Sequence, residues 1–85
     1  MDKLDKLLDF LELYELEEIQ RRIDEIPANK EMAEKMSRDE MAFNIVLTLA
    51  WWYKEIDNDF PKGVDPAQRR EEIWAKAKEL DIKAE

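Results

Sequence analysis

The chain is 85 residues long, has neither cysteine nor histidine, and carries 22 acidic against 14 basic residues, a net charge of −8. That length gives one domain that buries only ~60% of its unfolded surface, with no disulfide or thiolate metal site to reinforce it. The charge argues against direct contact with nucleic acid, which needs clustered Lys and Arg, and the missing imidazoles and thiols remove the commonest bases, nucleophiles and metal ligands.

The acidity is uneven. Residues 1–42 hold 13 acids and 7 bases, a balance of −6, whereas 43–85 hold 9 and 7, a balance of −2. A basic partner would meet the first half.

Asp2 can cap a first helix in which Leu4, Leu7, Leu8, Leu11 and Tyr14 follow helical spacing. Asp5, Asp9 and Glu12 line its opposite side as a solvated, partner-accessible row. Beyond Tyr14 the apolar stripe moves to Leu16, Ile19, Ile23 and Ile26, a rotation of roughly 110° at 100° per residue. No glycine or proline marks a break, so the expectation is one continuous or kinked helix over residues 2–26, with a break near 13–16 as the alternative. Pro27 ends it, and Asn29 can cap a short helix over 30–36.

Ser37-Arg38-Asp39-Glu40 has the pattern of a capping box and opens the central element, residues 38–56. Its apolar residues cover most of the circumference, so it is expected to be surrounded as the hub of the fold. One narrow stripe is polar: Asn44, Thr48 and Glu55, with Trp51 at its edge. That stripe is where the hub would reach the surface, and Trp51 is its candidate anchor for a partner. Trp52 and Trp74 are expected in the core.

The connection from Asp57 to Gln68 spans the twelve positions of a calcium-binding EF-hand loop. Asp57, Asp59 and Asp65 fall at positions one, three and nine, and Val64 at the apolar eighth. Against this, Pro61 stands at five, Lys62 at six where glycine makes the turn, and Gln68 at twelve where a bidentate Glu belongs. The competing role is structural, with Asp65 capping a last helix over 66–80 that begins Asp65-Pro66. Residues 81–85 are expected to fray.

The longest apolar stretch, Ile45 to Tyr53, has nine residues with Thr48 inside it, against ~20 for a membrane span. With no secretory start at Met1-Asp2-Lys3, a soluble cytoplasmic chain is expected. Ser37, Thr48 and Gly63 are the sole serine, threonine and glycine; the missing histidine excludes a Ser–His–Asp triad, and a single glycine excludes a glycine-rich phosphate loop.

The expected architecture is therefore an all-α bundle of three main helices plus a short one. The expected function is non-enzymatic and needs no cofactor: an acidic protein that neutralises a basic protein partner, by analogy of size and charge with immunity proteins, antitoxins and phage-encoded inhibitors. Two alternatives stand beside it. One is a structural or self-associating bundle, natural or designed. The other is a degenerate calcium module on residues 57–68.

Overall fold

A computed structural model describes residues 1–55 and 59–84. Within them the chain forms five helices and no strand: α1 (Lys3–Phe10), α2 (Leu13–Glu25), α3 (Pro27–Lys35), α4 (Arg38–Lys54) and α5 (Pro66–Glu79). The all-α class holds, but the count of three main helices plus one does not.

The difference lies in the first 26 residues. Asp2 caps α1 as expected, taking the Asp5 amide at 2.9 Å. The helix then stops at Leu11, upstream of the 13–16 window, and Leu11 and Glu12 are both extended. Neither glycine nor proline makes this break. The Glu15 carboxylate does, because it accepts the Glu12 backbone N–H at 2.8 Å and so satisfies an amide that a continuous helix would have bonded to a carbonyl. The rotated apolar stripe thus belongs to a second helix with its own neighbours.

Pro27 ends α2 and also starts α3, because its fixed φ and missing N–H suit the first helical position. The short helix therefore begins three residues before the expected Lys30. Asn29, instead of capping it, donates its side-chain amide back to the Arg22 carbonyl at 3.3 Å. No residue of α3 is buried.

Ser37 caps α4 by accepting the Glu40 amide at 3.2 Å. The helix packs against α5, α1 and α2, as a hub should. Ala42, Ile45, Val46, Leu49 and Tyr53 form its buried side, joined by Leu4, Leu7 and Leu11 from the first turns and Ile73 and Ala77 from α5. It is nevertheless not enclosed. Phe43 and Leu47 are only half-buried and Trp51 is exposed, so the open face is wider than the polar stripe alone. The helix ends at Lys54, and Ile56, placed in it from the sequence, lies outside the described residues. No helix among the described residues is long and apolar enough to cross a membrane.

Asp65 caps α5 through the Gln68 amide at 3.2 Å, with Pro66 next. Trp74 was expected in the core and instead lies at the surface of α5, 37% exposed. The expected fraying after residue 80 also fails as far as Ile82. Asp81 turns left-handed (φ 56°), the Asp81 amide reaches the Lys78 carbonyl at 3.1 Å and the Ile82 amide reaches that of Ala77 at 2.8 Å. This is a Schellman closure, and it turns Ile82 into the core. Lys3 fastens it to α1 by donating to the Asp81 carbonyl at 2.8 Å.

Candidate functional site

Among the described residues Glu15 is the one buried charged side chain, with no exposed surface. Its Oε1 accepts from the Glu12 amide and from Arg69 Nη2 at 2.8 Å. Its Oε2 accepts from Arg69 Nε at 2.9 Å and from the Tyr53 hydroxyl. A carboxylate offers about four lone-pair sites, and all are taken. Since Tyr53 spends its proton on Glu15, Tyr14 must donate in the 2.6 Å contact between the two hydroxyls. Arg69 further holds Glu72 at 3.0 Å and the Phe10 carbonyl at 3.3 Å, and lies 4.5 Å over the Phe10 ring. The cluster thereby clasps the end of α1, the start of α2, the end of α4 and the start of α5.

Its electrostatics follow from that geometry. Burial works to raise the Glu15 pKa, but hydrogen bonds from Arg69, Tyr53 and the Glu12 amide outweigh it and hold the carboxyl below its ordinary value. Burial pushes the Tyr53 phenol up, and its bond to Glu15 pushes further, so it stays protonated. The hydrogen bonds to Glu15 raise Arg69 in turn. An ionised carboxylate with every lone pair engaged has no site left for a substrate proton, so the cluster is a clasp.

The surface offers something different. Between α2, α3 and α4 runs a groove of about 290 Å³. Its walls are Ile19, Arg22 and Ile23 from α2, Asn29, Met32 and Ala33 from α3, and Met41 and Ile45 from α4, with Met36 between α3 and α4. Arg22 is no free cation there, since its Nε donates to Glu18 at 3.0 Å. Asn44 and Thr48 complete the lining, so two members of the polar stripe of α4 open onto this groove. Asn44 is steadied by donating to the Glu40 carbonyl at 2.9 Å. Trp51 stands exposed on the same side of the helix, 62% accessible, with Lys54 Nζ 5.5 Å over its ring. Glu55, the C-cap of α4, is exposed as well.

The other residues singled out from sequence are not gathered with these. Arg38 engages both Asp2 and Asp5, the latter at 2.7 Å, tying the starts of α1 and α4 together. Asp9 is exposed on α1. Glu12 is the N-cap of α2 and lines a separate cleft with Tyr14, Val64 and Asp65. In the calcium reading Asp57 lies outside the described residues, Asp59 is exposed, and Asp65 has committed an oxygen to its cap. The glycine of this loop serves a different turn. Gly63, at φ 92°, is the third residue of a β-turn closed by the Val64 amide on the Pro61 carbonyl at 3.1 Å. Among the described residues no three carboxylates gather to hold a metal ion.

The molecule is thus a small all-α protein with a fully satisfied internal clasp and an open methionine-lined groove on its outer face. No family model, curated protein or solved structure matches it.

Neither the clasp nor the groove walls contributed by α2 and α3 stand out in the sequence. The spacing of Glu15 three residues after Glu12 was the local signal for the break. Nothing in one sequence pairs Glu15 with Arg69, 54 positions away.

Proposed function

We propose that this chain is a non-enzymatic, cytoplasmic protein-binding module that neutralises a basic protein partner. The observation that carries the reading is the charge: −8 overall, with −6 of it in residues 1–42. A field of that sign steers a basic surface into encounter and repels nucleic acid and anionic membranes. Trp51 supports the same reading, as a large aromatic left exposed among Asn44, Thr48 and Glu55 has the make-up of an interface anchor within a polar rim. The engaged lone pairs of Glu15 fit a protein that binds without catalysing. The proposed module needs no cofactor.

Affinity capture from the native source, run at low and at high salt, tests it. A specific basic protein should be retained at low salt and released as salt screens the attraction. Trp51→Ala should weaken that capture at low salt. Recovery of no specific protein at either salt would sink the proposal, and a mass that doubles with concentration in its place would favour self-association.

A further inference from the structure

We infer that the groove between α2, α3 and α4 receives the apolar face of a basic amphipathic helix of the partner, whose flanking Lys or Arg residues meet Glu40 and Glu55. This rests on the reading of the chain as an acidic binding module and deepens it.

Three observations carry it. The first is that the groove is unfinished. Its outer wall, α3, has no buried residue, and Met32 on that wall is about half exposed. Apolar walls left open on one side are completed by an apolar surface from outside, and helix-in-groove docking is the recurrent solution. The second is chemical. Met32, Met36 and Met41 line it, and methionine's unbranched thioether repacks around differently shaped side chains. The third is the placement of charge. Glu40 and Glu55 lie fifteen residues apart on α4, about 22 Å along its axis and within about 60° of each other around it. The groove opens between them at Asn44 and Thr48. Both carboxylates are exposed, so this face of α4 carries negative charge beside the groove at Glu40 and again at Glu55, beyond the exposed Trp51 that follows the groove's last α4 residue, Thr48. A helix with leucine-like residues in its centre and cations at both ends matches that layout.

A second copy of this chain matches it poorly. Two α4 stripes laid antiparallel about Leu47 and Thr48 would set Glu40 of each against Glu55 of the other. Each copy also brings a net charge of −8.

The probe is a synthetic amphipathic peptide with leucine on one face and lysine on the other, titrated at low salt into protein carrying ¹³C-methyl methionine. The methyl resonances of Met32, Met36 and Met41 and the indole of Trp51 should move together. The same peptide with glutamate for lysine should move none of them. Glu40→Lys combined with Glu55→Lys should weaken binding about tenfold at low salt, with a much smaller effect at high salt. Ala33→Phe, which fills the groove, should abolish the methyl shifts while helicity is retained. The charge pair, both members exposed, carries the test if that variant does not fold. The inference is overturned if the lysine peptide does not bind, or binds while the three methyls stay still. It is equally overturned if the glutamate peptide binds as well, or if the methyls shift with protein concentration alone. These results are separable from failure of the proposed function. A native partner captured at low salt and indifferent to Ala33→Phe would leave the module standing and remove only the groove.

Discussion

Glu15 and Arg69 show why a single pair can decide the stability of a thin-cored chain. Removing one member of a buried pair leaves the other charged and unmatched, at a cost of about 3–5 kcal/mol, a large share of the ~5–15 kcal/mol that holds a small domain together. Arg69→Ala should therefore bring the urea midpoint down sharply, and more than Arg69→Met combined with Glu15→Leu, which removes both charges. Equal losses from the two would show that the charge left behind is harmless. The pH dependence has two edges. Glu15 sits below its ordinary 4.5 in the folded protein, so on acidification the unfolded chain takes up the proton first. Its stabilisation is complete above about 4.5 and drains away as pH falls through the folded value. Tyr53 behaves oppositely. Its phenol is raised above 10.0, so its stabilisation is complete below that pH and is lost as pH rises through the folded value. Urea midpoints measured against pH should show Glu15→Gln flattening the acid limb and Tyr53→Phe flattening the alkaline one. Acid limbs of equal slope for native and Glu15→Gln would remove Glu15 as the titrating group.

At the scale of the elements, local chemistry was legible and closures between distant residues were not. Asp2, Ser37 and Asp65 each cap the helix they were expected to cap, because an N-cap needs only a short polar side chain within three residues of its target. The open stripe of α4 was legible too, since position on a helix follows from counting residues. The α1–α2 break was misread because the cap residue is a glutamate and the closing carboxylate is buried by partners from α4 and α5. Trp74 was misplaced because an apolar residue on a helix face says nothing of whether a neighbour covers it. The chain end was misread for a related reason. Its left-handed residue is Asp81, where glycine is the usual signal. That closure gives a direct test, because Ile82→Ala should cost on the order of 2 kcal/mol by emptying a core site, whereas a frayed tail would show no change in the denaturation midpoint. Gly63→Ala should cost about 1 kcal/mol although no neighbour crowds the added methyl, because φ 92° is strained for any L side chain. No loss of stability in that variant would mean that the Pro61–Val64 turn does not need its glycine.

For the molecule as a whole, the same charge that attracts a partner opposes the compact state. Most ion pairs among the described residues lie at the surface, such as Arg21 with Glu25, Lys35 with Glu31, and Arg38 with Asp2 and Asp5. Exposed pairs contribute about 0–1 kcal/mol each and are screened by salt. The repulsion of eight uncompensated negative charges is collective, and salt screens it as well. The pair that matters most, Glu15 with Arg69, is buried and feels salt least. Adding salt therefore removes little attraction and much repulsion. The thermal midpoint at neutral pH should rise from low to moderate sodium chloride, where screening acts before salting-out does, and level off once the Debye length falls below ~8 Å. Replacing exposed acids on helices that do not line the groove, as in Asp9→Asn with Glu71→Gln, should raise the midpoint at low salt and make it less salt-dependent. A midpoint that falls over the first additions of salt would mean that the surface pairs outweigh the net repulsion. The negative field would then be organised for stability, and the argument that it is kept for a basic partner would lose its physical ground.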